Sequence, residues 1–353
     1  MYLSAEKLKS GALLAPMAGV ADRSMRELCM EFGAIGCIGE MASSKGISMN
    51  DRKSSELLSL SDAERPAGVQ IFGDVPEIMA KAIETCMKYS PDFIDINMGC
   101  PAPKVAGNGG GSALMKRPEL AAEIVAQCVK VSPVPITVKM RAGWDAENIN
   151  APELAVLCEQ AGAAAITVHG RTRKQMYAPP VDLDVIAEVK RRVKSIPVIG
   201  NGDIVDGKSA ADMFAKTGCD GIMVGRGALG RPWVFTQISE YLKSGNTISD
   251  ISASLSVYFI SNSSIVVSVF IAKSTPPRNP GKTIAYPANM ISQDIPFNAT
   301  RLTTPQSAAP IPPHNNAFVS RNHPVILFFP YFLFFQKSHS FLILHLPFQI
   351  PYL

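Results

Sequence analysis

Eight short apolar runs, separated by amphipathic stretches, predict an α/β fold: a (β/α)8 TIM barrel followed by an atypical, largely irregular C-terminal tail. Seven of the connecting stretches have apolar residues three and four positions apart, which is typical of helices with one buried face. Each apolar run ends on polar residues or glycine, as expected where barrel strands converge on one mouth. The barrel is predicted to occupy residues 1–245 and the tail residues 246–353.

The strands and helices follow in order along the chain. The predicted strands are 11–19, 34–40, 67–73, 93–99, 135–143, 164–170, 197–203 and 221–227. The predicted helices are 22–32, 77–89, 118–131, 152–161, 182–194, 207–216 and 233–242, and only the connection 41–65 is irregular. An open, doubly wound sheet is the competing fold, but the GxGxxG turn that usually follows its first strand is absent here.

Composition divides the chain near Gly245. Basic and acidic residues number 28 each up to that residue, so the formal charge of +4 comes entirely from the tail. The tail contains 13 of the 27 prolines and 11 of the 16 phenylalanines, and such a density of proline excludes long helices. We therefore expect a disordered Pro/Phe-rich tail. The apolar stretch 251–272 is rich in Ser and Asn, and the stretch 325–335 is too short to span a bilayer. No membrane partner is therefore expected.

All seven cysteines precede Gly245, and they form neither a CxxC pair nor a Cys/His cluster. This pattern indicates no metal site and no disulfide framework, and it suits a cytoplasmic protein. Cys100 differs from the others because it follows a strand end on a loop with Pro101, Pro103 and glycines at 107 and 109–111. We expect the prolines to prevent a helix here and the thiol to be accessible.

Cys100 has two candidate roles. A thiol with an ordinary pKa of about 8.5 is protonated at neutral pH and can donate a proton. A nucleophilic thiolate is the alternative, although the sequence shows no partner that would lower the pKa of this thiol. We favour the proton donor.

Other mouth residues suggest a phosphorylated cofactor. The last two strand ends, IGNGDI and MVGRGALG, combine glycines with helix starts and the cation Arg226, which is typical of barrel phosphate sites. Lys139 at the end of the fifth strand and Gln70 at the end of the third supply a cation and an amide that face the same cavity, as a flavin ring requires. His169 is either a structural residue or a ligand of phosphate or substrate.

The motifs PMAGVAD (16–22), QIFG (70–73), DINMGCP (95–101), GSALM (111–115), VKMRAGW (138–144), VHGRTR (168–173), GNGDI (200–204) and GRGALGRPW (225–233) identify a likeness to a known family. The chain resembles the tRNA-dihydrouridine synthases, and most closely their B-type bacterial branch. The resemblance covers residues 11 to about 245. It implies an FMN enzyme that reduces the C5=C6 bond of a uridine in tRNA with electrons from NADPH.

The resemblance also implies roles for individual residues. Cys100 would protonate C5 after hydride transfer from the reduced flavin to C6, and Asn97 and Arg141 would face the uracil. The flavin would be bound by Pro16, Met17, Ala18, Gln70, Lys139, His169, Asn201, Gly202, Asp203, Gly225 and Arg226. The uridine must leave its stack to reach the barrel mouth.

Two departures from the family pattern affect the expected partners. APPVDLD follows Tyr177 where the family has a glycine and an Ala-Asp-Trp element, and nothing in 246–353 resembles the helical RNA-binding domain of the family. We expect a monomer whose tRNA binding is weakened, with Arg141, Arg171, Arg173 and Lys174 as a small basic rim or merely a solvated surface. The alternatives are an FMN-dependent oxidoreductase acting on a free pyrimidine, a truncated product impaired in tRNA binding, and a noncatalytic product that binds RNA or a partner through its tail.

Overall fold

The computed structural model describes residues 4–246 and four strands farther along the chain, at 258–261, 325–329, 332–337 and 340–345. The chain divides into two compact units, Met1–Ile251 and Ser252–Leu353. The first unit contains the barrel. Apart from these four strands, the residues 246–353 for which disorder is predicted lie almost entirely outside the described part of the chain.

Eight parallel strands close into a barrel in the order β1 to β8, with β8 pairing with β1. This confirms the predicted (β/α)8 TIM barrel. The strands are β1 (Ala12–Leu14), β2 (Cys37–Ser43), β3 (Ala67–Phe72), β4 (Phe93–Met98), β5 (Ile136–Arg141), β6 (Ala165–His169), β7 (Val198–Asn201) and β8 (Gly221–Val224).

Helices alternate with the strands and cover the outside of the barrel. The helices are α1 (Ala5–Lys9), α2 (Arg23–Glu31), α3 (Ser44–Ser48), α4 (Arg52–Glu56), α5 (Pro76–Met87), α6 (Pro103–Ala106), α7 (Pro118–Val131), α8 (Ala151–Gln160), α9 (Leu183–Arg192), α10 (Gly207–Thr217) and α11 (Val234–Ser244). Side chains that cap helix N-termini fix several starts: Asp22 accepts from the Met25 amide, and Asp206 accepts from the Ser209 amide.

Two local predictions were wrong. The loop after β4 does contain a helical turn, α6, because Pro103 occupies its first position, where a proline needs no amide hydrogen bond. The connection 41–65 contains α3, α4 and a 3₁₀ turn at Asp62–Glu64. Arg26 and Glu64 form a buried ion pair that ties this connection to α2, and Arg26 also donates to the carbonyl of Ser59 at 2.9 Å.

The barrel interior is apolar at the end where the strands begin. Leu13, Ile38, Phe93 and Met223 pack there in one cluster together with Leu8 of α1, so α1 covers this end of the barrel. Gly68 leaves room for the Phe93 ring, since a Cβ at position 68 would overlap it. Polar side chains, including Gln70 and Asp95, occupy the interior farther along the strands. The polar half of the interior therefore opens toward the mouth.

The second unit contains a four-stranded antiparallel sheet in the order β10-β11-β12-β9. Its strands are β9 (Tyr258–Ser261), β10 (Val325–Phe329), β11 (Phe332–Lys337) and β12 (Ser340–His345). The sequence reading did not predict these strands individually. Within the part of the chain that the structure describes, no helix is both long and apolar enough to cross a bilayer.

Candidate functional site

A cavity of about 570 Å³ lies at the mouth of the barrel and receives residues from all eight strand ends. Its volume is in the usual range for cofactor sites. Every site residue predicted from the sequence lines this cavity: Pro16, Met17, Ala18, Gln70, Asn97, Cys100, Lys139, Arg141, His169, Asn201, Gly202, Asp203, Gly225 and Arg226.

Strand register brings these side chains together. Asn97 lies opposite Lys139, and His169 lies between Arg141 and Asn201 on adjacent strands. The β1 loop is held by Glu40, whose carboxylate accepts a hydrogen bond from the amide of Gly19. The register of β2 shifts between Ile38 and Met41, so Glu40 lies at this irregularity.

A chain of buried hydrogen bonds runs from Thr137 to the Cys100 loop. Thr137 Oγ1 donates to Asp95 Oδ1 at 2.6 Å, and Gln70 Nε2 donates to Asp95 Oδ2 at 2.7 Å. Gln70 Oε1 accepts from Asn97 Nδ2 at 2.8 Å. Asn97 Oδ1 then accepts from the amides of Gly99 at 3.1 Å and Cys100 at 2.8 Å. We call Thr137, Asp95, Gln70 and Asn97 the Asp95 relay.

Asp95 sets the direction of this relay. An ionised carboxylate can only accept hydrogen bonds, so it orients the Gln70 amide, which in turn orients the Asn97 amide. Burial raises the pKa of Asp95 to about 6, while the hydrogen bonds from Thr137 and Gln70 oppose that increase. Asp95 is thus ionised at neutral pH and directs the Asn97 oxygen toward the Cys100 loop. The sequence motifs alone assigned Asp95 no role.

Cys100 is half-buried at the cavity wall, whereas the other six cysteines are buried. Burial raises the pKa of the Cys100 thiol, and this effect exceeds the opposing effects of the Ala102 amide and the Arg141 charge. The sulfur is therefore protonated at neutral pH. An accessible, protonated thiol can act as a proton donor.

Lys139 lies inside the cavity, where its Nζ donates to Asn201 Oδ1 at 3.0 Å. The Asn201 amide is fixed because its Nδ2 donates to the carbonyl of Met223 at 2.8 Å. Burial and, to a smaller extent, the charge of Arg141 lower the pKa of Lys139 to about 8, against the attraction of Asp95. Lys139 is thus a cation at neutral pH that can lose its proton under mildly alkaline conditions.

Arg141 holds two loops together. Its guanidinium donates to the carbonyl oxygens of Gly99 at 2.7 Å, Thr172 at 2.9 Å and Met176 at 2.8 Å. Only 3% of Arg141 is exposed. Arg141 therefore connects the loop that carries Cys100 to the loop after β6, in addition to lining the cavity.

Arg171 and Asp203 form an ion pair at the opposite wall. Arg171 Nη2 donates to both carboxylate oxygens of Asp203 at 2.6 Å, and Arg171 Nη1 lies 3.2 Å from His169 Nε2. Burial, followed by the charges of Lys139, Arg141, Arg171 and Arg226, lowers the pKa of His169 far below its ordinary value, so this imidazole is neutral. The Asp203 carboxylate is satisfied by Arg171 and by the Val181 amide at 3.0 Å. The carboxylate remains 36% exposed and also lies 3.9 Å from Arg226 Nη2, so two arginines offset its charge.

Two residues of the predicted basic rim do not lie on the surface. Arg171 and Arg141 are 1% and 3% exposed, because their guanidinium groups bond to carbonyl oxygens, Asp203 and His169 inside the barrel. The rim prediction is therefore wrong for these two residues. In the segment that departs from the family pattern, the half-exposed Tyr177 ring lies 4.9 Å from Arg226 Cζ and 5.7 Å from Arg141 Cζ.

Comparisons with known proteins agree with this geometry. The family model described as Dihydrouridine synthase (Dus) matches residues 13–263. The chain is 42% identical over 251 residues to tRNA-dihydrouridine synthase B of Shewanella oneidensis, covering 71% of this chain and 78% of that protein. It is 46% identical over 240 residues to a probable tRNA-dihydrouridine synthase of Rickettsia conorii, covering 68% and 72%.

The chain is also similar to a third relative in sequence and to one solved structure in fold. The chain is 43% identical over 238 residues to tRNA-dihydrouridine synthase B of Pseudomonas aeruginosa, covering 67% of this chain and 71% of that protein. The structure of histamine dehydrogenase from Rhizobium sp. 4-9 superposes with a TM-score of 0.51 at 14% identity, covering 65% of this chain and 45% of that chain. This structural likeness concerns the fold alone.

Proposed function

This chain belongs to the dihydrouridine synthase family and is an oxidoreductase, and we propose that it reduces uridines of tRNA to 5,6-dihydrouridine. The observation that carries the proposal is the Cys100 thiol, which is protonated, accessible and positioned at the cavity wall by the Asp95 relay. The relatives named above support tRNA as the substrate.

The residues at the mouth fit a bound FMN. The cavity lining includes the cation Lys139 among polar side chains, and it also includes Arg226 and the glycines 202 and 225. Gly202 adopts a φ of +126° that favours glycine, and a Cβ there would lie 2.6 Å from Val181 Cγ2. A ring at the centre and a phosphate at the glycine-rich edge would match this distribution of charge.

We assign the binding roles accordingly. Pro16, Met17 and Ala18 would contact the flavin ring, while Gln70 and Lys139 would bond to its polar edge. His169, Asn201, Gly202, Asp203, Gly225 and Arg226 would hold the ribityl phosphate end, with Asp203 acting through Arg171 and its own backbone. FMN reduced by NADPH would supply the hydride that C6 of the uracil receives.

The protein's own contribution is to position the uracil and to deliver a proton. Asn97 and Arg141 line the cavity beside Cys100, so they are placed to contact a base that enters the mouth. The Cys100 S–H bond breaks as the proton moves to C5, and the thiolate is later reprotonated from water. Arg141 lies close enough to favour the thiolate that forms.

The test uses purified full-length protein, an unmodified tRNA transcript and NADPH at low salt, with enzyme in excess over tRNA. Mass spectrometry of the digested RNA should show dihydrouridine. The Cys100→Ala variant should retain its yellow flavin absorbance and lose roughly 10²–10⁴-fold in rate, the usual contribution of a positioned acid. Turnover of free uracil or dihydroorotate without turnover of tRNA would contradict the proposal and favour a pyrimidine oxidoreductase.

A further inference from the structure

A second cavity, of about 430 Å³, is lined by Lys116, Trp144, Asp145, Asn148 and neighbouring residues. It is formed by the loops that follow β4 and β5. None of its lining residues was assigned a role above. The cavity therefore lies outside the site proposed for the flavin and the uracil.

Two cations lie over the indole of Trp144 at the edge of this cavity. Lys116 Nζ is 4.7 Å from the ring centroid, and Arg173 Cζ is 4.8 Å from it. At these distances the face of the indole attracts both cations. Three loops, those after β4, β5 and β6, thus contribute one residue each to a rigid cluster that we call the Trp144 cluster: Lys116, Trp144 and Arg173.

The cluster carries charge that the described residues leave uncompensated. Within residues 4–246, neither Lys116 nor Arg173 forms an ion pair, whereas the adjacent Lys174 is neutralised by Asp145 at 2.7 Å. Arg173 Nε and Asn150 Oδ1 are shielded from solvent and have no hydrogen-bond partner among these residues. Unsatisfied polar atoms of this kind usually indicate an absent ion, water or ligand.

The cluster lies close to the catalytic cavity. Trp144 is three residues from Arg141, and Arg173 is two residues from Arg171, so each is within about 10 Å of that cavity's wall along an extended chain. All of these loops leave the same mouth of the barrel. An RNA strand that delivers a uridine into the barrel would pass beside the cluster.

We propose that the Trp144 cluster binds the phosphodiester backbone of the RNA substrate, next to the uridine that enters the barrel. Lys116 and Arg173 supply two preorganised positive charges, and Trp144 holds both of them. The inference rests on the proposed function, since it takes RNA as the substrate. Phosphate contacts position a nucleic acid without reading its sequence, so the cluster fixes where the strand lies.

The test measures RNA binding by the full-length protein against salt concentration, with a fluorescently labelled unmodified tRNA transcript as the probe. The variants are Lys116→Gln and Arg173→Gln, with Lys116→Arg retaining the charge. Lys216→Gln is the matched control, because Lys216 is an exposed lysine in the last turn of α10, at the opposite end of the barrel. Flavin content of each preparation verifies that the barrel is folded.

Each Gln variant at the cluster should bind the transcript roughly threefold to tenfold more weakly at low salt. The slope of log K against log salt should become shallower by about 0.7 to 1, which corresponds to one lost phosphate contact. Lys116→Arg and Lys216→Gln should leave the slope unchanged. Slopes for Lys116→Gln and Arg173→Gln equal to that of the wild type would overturn the inference while leaving the proposed function intact, as would an equal loss in Lys216→Gln. No binding by the wild-type protein at low salt would overturn both.

Discussion

At the scale of single residues, burial changes the chemistry of Asp95: its carboxylate is fully buried and, among the residues that the structure describes, it accepts hydrogen bonds from the uncharged Thr137 and Gln70. Its two hydrogen bonds compensate only part of the cost of removing a charge from water. The relay to Cys100 nevertheless requires an acceptor at this position. Asp95 therefore exchanges some stability for a defined orientation of the Gln70 and Asn97 amides.

This exchange predicts a dependence of stability on pH. The pKa of Asp95 is about 6 in the folded protein and 3.8 ordinarily, so the folded state binds more protons between these values. The contribution of Asp95 to the free energy of unfolding is fully present below about pH 4. It falls as the pH rises through 6, by about 3 kcal/mol in total. In Asp95→Asn this loss is absent. Relative to the wild type, the variant should therefore gain stability between pH 4 and pH 7.

The measurement is chemical unfolding of both proteins at several pH values. Subtracting the two curves removes the opposite effect of exposed carboxyls such as Glu188, whose pKa is lowered by Arg191 and Arg192. A difference in unfolding free energy that stays constant from pH 4 to pH 7 would show that Asp95 does not titrate as described. In this variant an alkylating reagent should also modify Cys100 at an altered rate, because the Asn97 oxygen is no longer directed toward the Cys100 amide.

At the scale of elements, the loop between β4 and α7 shows how backbone geometry positions the thiol. Gly111 has a φ of +57°, and a Cβ there would lie 2.8 Å from Val105 Cγ1 and 2.9 Å from the carbonyl oxygen of Cys100. The Ser112 amide bonds to that same carbonyl at 3.1 Å. The loop thus closes back on Cys100, and only glycine allows this approach.

We predict that Gly111→Ala displaces Cys100 and lowers the rate of dihydrouridine formation by roughly tenfold or more, since small displacements of a reacting group are costly. Flavin content should remain near that of the wild type. Gly33→Ala is the matched control, because Gly33 also has a positive φ of +91° but has open space where the Cβ would lie. Both substitutions should cost about 1 kcal/mol in backbone strain, and only the first should slow turnover. Equal rates in the two variants would refute the argument.

At the scale of the whole molecule, charge limits the affinity for RNA. Basic and acidic residues balance up to Gly245, and Arg141 and Arg171 are buried within the barrel. Few cations remain at the mouth to contact phosphates. Proteins that make about six to ten phosphate contacts lose affinity steeply as the salt concentration rises.

We therefore predict weak binding of tRNA, with a shallow dependence on salt that corresponds to about two to four phosphate contacts. The slope of log K against log salt, measured between about 50 and 200 mM, gives this number directly. A slope that corresponds to six or more contacts would mean that another surface of the chain binds RNA. In that case deletion of residues after Gly245 would show whether the tail supplies it.

The sequence was sufficient to predict the barrel and the residues that line its mouth cavity, whose binding roles stay predictions. Apolar runs defined all eight strands, and the helix predicted at 118–131 matches α7, because both patterns arise from burial. Strand ends were less accurate: 11–19 was predicted where β1 covers only Ala12–Leu14, since the apolar run continues into the loop. The Asp95 relay could not be predicted, because its side-chain bonds cross strands and depend on their register. Arg171 was misassigned for a similar reason, since its partner Asp203 lies 32 residues away.

Helix α1, through Leu8, seals one end of the barrel, with consequences for the order of events during turnover. Among the described residues, this arrangement leaves the mouth as the route into the barrel interior. A nicotinamide donor and a nucleotide acceptor that both bind in this cavity would have to bind one after the other. Initial rates measured at several fixed donor concentrations should then give parallel double-reciprocal lines. A molecule bound deep in the cavity should dissociate slowly while RNA occupies the mouth.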